Sequence, residues 1–306
     1  MFHAGQGEAI GQTYPERVIE MINPYPAGGA TDTMGRALAD GMSAQLGQRV
    51  IFLNRPGANG AIGTVAAARA APDGYTVLFT AAVSMVVNPL TQAQTAPALK
   101  SFDHICQAFK NEMVIVTHPD SPLKSFGDLI KAGKEKPGAV SYGVLGIGSI
   151  PHLAMVELSR AADVKFNAVP FKGDADVLQQ VHGRHVDFGA VVLASAAISG
   201  LRILALFSQQ RNPSVPNTPT IREFGYEVAP FSIGGLSAPA GLPANVKLKL
   251  EQACKVAAHG ETYAKLMKTL HQPTDYYAAG DDYANALAQD FEDKRRLLGQ
   301  LGMIKE

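Results

Sequence analysis

The strongest constraint in this chain is a pattern used three times: a short apolar run, a glycine-rich turn, then a helical repeat. Runs at 17–23 (RVIEMIN), 50–54 (VIFLN), 76–80 (TVLFT) and 113–117 (MVIVT) read as strands, each bounded by Gly, Pro or Asn. Between the first two, Met34, Ala37, Leu38, Gly41, Met42 and Leu46 fall on one helical face, and Gly47 supplies the stop. The Ala-rich stretch 62–71 is a second helix, and Pro72-Asp73-Gly74 turns it into the next strand. Strand, helix, strand, helix, strand predicts an α/β fold with a parallel sheet.

A second set of the same kind follows the turn-rich His118-Pro119-Asp120-Ser121-Pro122. Helices are expected at 125–136 and 151–162, and strands at 140–144, 186–191 and 203–207. The Pro-rich stretch 212–220 breaks the alternation, and from Pro243 onward the pattern is mostly helical. At 306 residues and roughly 150 per domain, two α/β lobes with a helical tail fit the length.

Composition removes several function classes. Lys plus Arg and Asp plus Glu both number 27, giving zero formal charge, and no basic stripe with interleaved aromatics occurs. A nucleic-acid partner is therefore not expected. The longest nearly uncharged apolar stretch, 188–201, is too short and too interrupted by Gly and Ser to span a bilayer. The start, MFHAGQGEAIGQTYPER, lacks a basic segment followed by an apolar one. It reads either as a cytosolic chain or as a processed chain with a replaced start, and residues 1–13 are taken as a replaced or unordered lead-in. Cys106 and Cys254 match no C-x-x-C pattern. They read as two buried small hydrophobes or as one disulfide, and sequence leaves that choice open.

Each glycine turn has a binding reading and a plain one. In Tyr25-Pro26-Ala27-Gly28-Gly29-Ala30-Thr31-Asp32, the glycines allow close backbone approach and the helix start offers free N–H groups to an anion. Thr31 or Asp32 can instead cap that helix. Gly57-Ala58-Asn59-Gly60-Ala61-Ile62-Gly63 is spaced G-x-x-G-x-x-G, not as the dinucleotide fingerprint, and reads as a structural loop. Gly146-Ile147-Gly148-Ser149 again joins a strand to a helix, with Ser149 a cap or a donor toward a cleft. Ser149 and His152 do not sit in a G-x-S-x-G frame, so hydrolysis is disfavoured. Phe171-Lys172-Gly173 is not a phosphate-binding loop, and His182 and His185 lack the company a metal needs. Asp187, in an otherwise apolar strand, must find partners if buried.

Several blocks occur in one fixed order: YPAGGATDTMGRALADGMSAQLGQRVIFLNRPGANGAIGTVAAARAAPDGYTVLFT, KPGAVSYGVLGIGSIPHLA, VPFKGDADVLQQVHGRHVDFG, and PTIREFGYEV with SAPAGLP. This closely resembles the Bug-type extracytoplasmic solute receptors of tripartite tricarboxylate transporters, from about Arg17 to the C-terminus. The resemblance implies a type II periplasmic binding protein: two α/β lobes, a hinge and an interlobe ligand cleft. It assigns residues 14–108 and 235–306 to lobe one and 109–234 to lobe two. It implies a small organic carboxylate as ligand, membrane transporter subunits as partners, a monomer, a periplasmic location with the signal peptide removed, no cofactor, no metal and no catalysis.

The site expected on these grounds brings Tyr25, Pro26, Ala27, Gly28 and Gly29 against Gly146, Ile147, Gly148, Ser149 and His152, with Ser84 and Asp187 lining the same cleft. Two helix starts would then supply backbone donors to one carboxylate without an arginine. The chain departs from the family at Ala81, Ala82 and Val83, at Val191 and Val192, and in having no Trp. Those changes favour a monocarboxylate, or a ligand with an apolar or aromatic body, over citrate. A signalling receptor that docks on a membrane sensor is the second reading, and an α/β hydrolase the third.

Overall fold

Two parallel ladders form where the two α/β patterns lie. The computed structural model describes residues 14–91, 97–273 and 275–304; the expectation for residues 1–13 lies outside the described residues. The first ladder comes from β1 (Ile19–Asn23), α1 (Ala30–Leu46), β2 (Val50–Asn54), α2 (Ala61–Ala68) and β3 (Thr76–Ala81), with β1 parallel to both β2 and β3. Short α3 (Val83–Val86) and α4 (Asn88–Thr91) precede a long strand, β4 (Phe102–Thr117). The second ladder follows: α5 (Phe126–Glu135), β5 (Ser141–Leu145), α6 (Ile150–Ala162), β6 (Asn167–Phe171), α7 (Asp174–His182), β7 (Phe188–Val192), α8 (Leu193–Ala196) and β8 (Arg202–Phe207). Here β5 is parallel to β6 and β7. The chain closes with β9 (Phe231–Pro239), α9 (Ala244–His259), α10 (Glu261–Thr269), β10 (Ala278–Ala279) and α11 (Gly280–Gln300).

Two antiparallel strands join the ladders, in the order β2-β1-β3-β9-β4-β7-β5-β6. From Phe102 to Glu112, β4 pairs with β9; from Met113 onward it pairs with β7 and β8. The sequence shows only the second part of β4 as a strand, because Asp103, His104, Gln107, Lys110, Asn111 and Glu112 break the apolar run before it. β9 is hidden for a different reason. Its Gly234 and Gly235 are weak strand formers, yet a Cβ at Gly234 would lie 2.0 Å from the Phe109 ring, and one at Gly235 would lie 2.0 Å from the Cys106 carbonyl oxygen. β6 escapes notice through Pro170; at the edge of the sheet its missing N–H costs no ladder bond.

Around the first ladder the core follows the expected α1 stripe. Met34, Leu38, Met42 and Leu46 are buried, and Gly41 lets α9 approach so closely that a Cβ there would stand 2.9 Å from Ala257 Cβ. Gly47, at φ 66°, ends α1 in the left-handed conformation. Cys106 of β4 and Cys254 of α9 form a disulfide with Cα atoms 6.6 Å apart, which resolves the choice that sequence leaves open. Among the described residues no helix is long and apolar enough to cross a membrane.

Candidate functional site

Three helices begin at one cavity. Each follows the carboxyl end of a parallel strand, where open α/β sheets leave a crevice. Gly29 to Asp32 open α1 after β1, Ser149 to Pro151 open α6 after β5, and Gly173 to Ala175 open α7 after β6. Their first-turn N–H groups have no partner within the helix, and the helix dipoles add positive potential at the same ends. The walls are apolar, from Ala81, Val83, Met113, Leu145 and Val192, with Tyr25 and Pro26 closing one side. Asn111 and Ser232 add polar groups where β4 and β9 cross. The cavity is small, about 50 Å³, and no Lys, Arg or His lines it among the described residues.

The two sides touch across the cavity. A Cβ on Gly173 would sit 3.0 Å from Pro26 Cδ, and one on Gly28 3.9 Å from Ala175 Cβ. Positions built on Gly146 and Gly148 face Asn59 at 3.7 Å and Val87 at 3.9 Å. One hydrogen bond crosses as well: the Ala30 N–H at the start of α1 donates to Ser195 Oγ of α8 at 3.2 Å. Ser195 in turn donates to Asp174 Oδ2 at 3.1 Å.

The α1 turn is held by Asp32. Its carboxylate accepts from Gly28 N–H at 3.1 Å, from Asn54 at 2.8 Å and from Arg36 at 2.9 Å. Burial pushes this acid up, but Arg36, the Gly28 amide and Asn54 outweigh burial and hold it below the ordinary carboxylate range. The Gly28 amide is therefore occupied by Asp32 in this structure. Gly28 itself, at φ +88°, is in the left-handed region, as are Gly146 at φ +62° and Gly148 at φ +85°.

Of the residues the sequence singles out, Tyr25, Pro26, Gly29 and Ser149 line the cavity. Ala27 and Gly28 stand at the exposed tip of the same turn. Ser149 is the N-cap of α6: its Oγ accepts from His152 N–H at 3.3 Å and donates to the Gly146 carbonyl at 3.0 Å. The His152 ring is buried behind it, and its Nδ1 accepts from Gly148 N–H at 3.2 Å. Burial lowers this imidazole below its ordinary pKa. Ile147 points outward, 52% exposed. Ser84 lies beneath the cavity wall, fully buried and hydrogen-bonded to Thr80 at 2.9 Å.

Asp187 departs from its expected place. It precedes β7, whereas the cavity meets the far end of that strand at Val192, and its carboxylate accepts from Ser141 N–H at 2.7 Å and Ser141 Oγ at 2.8 Å. The acid near the end of an apolar strand is satisfied locally, pinning β7 to β5. Two acids line the cavity: Asp32, held by Arg36 and Asn54, and Asp174, which the sequence reading does not single out. The signal is local, since Gly173-Asp174 also joins a strand to a helix, but a test of Phe171-Lys172-Gly173 against the phosphate-loop pattern does not detect it.

A family model described as "Tripartite tricarboxylate transporter family receptor" matches residues 34–303. The "UPF0065 protein in gbd 5'region" of Cupriavidus necator is 33% identical over 304 residues, covering 97% of this chain and 91% of that protein. "Protein BugT" of Bordetella pertussis is 35% identical over 220 residues, or 70% of this chain and 68% of that protein. The solved structure of "periplasmic binding protein BugD" superposes with a TM-score of 0.89 at 29% identity, over 96% of this chain and 100% of that one. The chain belongs to the tripartite tricarboxylate transporter receptor family and has its two-lobed, type II periplasmic binding protein fold.

Proposed function

We propose that this protein captures a small organic carboxylate in the cavity and hands it to the membrane subunits of a tripartite tricarboxylate-type transporter. The observation that carries this reading is the convergence of three helix starts on one apolar-walled cavity without a lysine or arginine. Such a site binds a carboxylate by backbone hydrogen bonds and helix dipoles, which offset the loss of its hydration. The lobes in this proposal are residues 14–108 with 235–306, and 109–234. Their boundary in β4 coincides with a register irregularity between Gln107 and Phe109, opposite Gly234 and Gly235, where a hinge is mechanically simplest.

The protein works in the periplasm, as a monomer and without chemistry of its own. A buried disulfide supports an oxidising compartment. Against hydrolysis, the Ser149 hydroxyl gives its proton to a backbone carbonyl, and the His152 ring bonds to Gly148 instead of to Ser149.

A thermal-shift screen over organic acids tests the reading. A ligand held at a hundred times its dissociation constant is expected to stabilise the fold by about 2.7 kcal/mol. If amines, sugars or metal ions stabilise the protein and no carboxylate does, the reading fails.

A further inference from the structure

Resting on the carboxylate-receptor reading above, we propose that Asp174 makes this cavity select a carboxylate that also carries a hydrogen-bond-donating group, an ammonium above all, in place of a second carboxylate.

Asp174 opens α7 and is only 9% exposed. Its Oδ2 is engaged by Ser195 Oγ at 3.1 Å and by Val192 N–H at 3.4 Å. Its Oδ1 is buried with no hydrogen-bond partner among the described residues, and Asp174 is one of the residues that line the cavity. A buried carboxylate oxygen left unpaired is costly, and an arriving donor removes that cost.

Among the described residues, the side-chain donors Arg36 and Ser195 are already committed elsewhere. Arg36, the cation on α1, is committed to Asp32 at 2.9 Å and Asn54 at 2.8 Å. Ser195 already uses its one proton on Oδ2 and accepts from Ala30 N–H. The missing donor must come from whatever enters the cavity.

Two charges decide which class of ligand that is. Burial raises the Asp174 acid to about 6, so at neutral pH it is mostly ionised despite its surroundings. A ligand with two carboxylates would bring its second one against this anion, in an apolar cavity where like charges repel strongly. A ligand with one carboxylate and one ammonium places the first at a helix start and the second on Oδ1.

Calorimetry on the full chain at neutral pH with butanoate, 2-aminobutanoate, 4-aminobutanoate and succinate tests this, since the four share a carbon skeleton length and differ in the second group. One of the two aminobutanoates is expected to bind about ten-fold or more tightly than both butanoate and succinate. Asp174→Asn is expected to erase that preference, and the wild-type ranking decides alone if the variant does not fold. Succinate binding as tightly as either aminobutanoate, or tighter, overturns the inference and leaves the carboxylate reading intact. Butanoate matching both aminobutanoates does the same. Binding by none of the four overturns this inference, and the thermal-shift screen then judges the receptor reading separately.

Discussion

Asp174 gives the clearest case of a residue whose role depends on a neighbour that sequence does not place beside it. Ser195 and Asp174 lie twenty-one positions apart, and Ala30 a further distance away, yet one chain of hydrogen bonds joins them. The raised acid predicts a pH dependence with a definite sign. The folded state holds the Asp174 proton more tightly than the unfolded chain does, about 6 against 3.8. Its stabilising contribution is therefore complete below the unfolded value and is lost as pH rises through about 6. Relative to Asp174→Asn, the ligand-free wild type is expected to gain about 1 kcal/mol between pH 7 and pH 5. Urea melts of both proteins at the two pH values measure it, and a difference of opposite sign would mean Asp174 is stabilised as the anion. At the α1 turn the glycines were legible, because a strand followed by two glycines and a helix can be recognised locally. Gly28→Val puts a branched residue at φ +88° against Ala175, whereas Lys172 is an exposed side chain. The first change is expected to weaken carboxylate binding about ten-fold or more and Lys172→Ala to leave it nearly unchanged, read by calorimetry with an acid found in the screen.

At the scale of elements, what sequence reveals is what local periodicity encodes. β2 matches its run residue for residue, and α1 and α6 begin within one position of expectation, because an apolar stripe and a flanking glycine or serine define them. β9 and the first part of β4 are set instead by each other. Their ladder tolerates Gly234 and Gly235 because Phe109 and the Cys106 carbonyl fill the space that side chains would take. Gly235→Ala tests that explanation. Its Cβ would meet a backbone oxygen rather than a movable side chain, and a loss of about 3 kcal/mol is expected. Gly299→Ala is the control, because its Cβ meets only the tip of Ile304 at 3.7 Å on α11. That change is expected to be neutral or to stabilise by up to about 1 kcal/mol. Equal denaturation midpoints for the two variants would show that the β4–β9 junction yields more readily than its packing implies.

For the whole molecule, the two-lobed plan was legible through the repeated α/β pattern and the family resemblance, but the closure of the cavity was not. Pro26 against Gly173 and Asn59 against Gly146 are meetings between turns whose sequences carry no mark of each other. The same holds for the disulfide, since nothing around Cys106 or Cys254 announces a partner 148 residues away. That separation gives the bridge its leverage. The loop it closes contains all of the proposed second lobe, so in the unfolded chain it restrains the entire middle of the sequence. The chain-entropy treatment assigns a closed loop of this length about 5 kcal/mol. The folded contacts between β4 and α9 persist without the bond, because Cys106 and Cys254 are buried among Ile105, Leu250 and Ala253 in one core cluster. Replacing both with alanine is therefore expected to lower the free energy of unfolding by about 2–5 kcal/mol. Neither sulfur lines the cavity, so the affinity for an acid found in the screen should stay within about two-fold at a temperature where the variant is folded. Denaturant melts and calorimetry separate the two effects. Two reactive thiols in the native, oxidised protein would remove the bridge from the account, and a large loss of affinity in a fully folded double variant would show that the bond also sets the geometry of the lobe carrying α1.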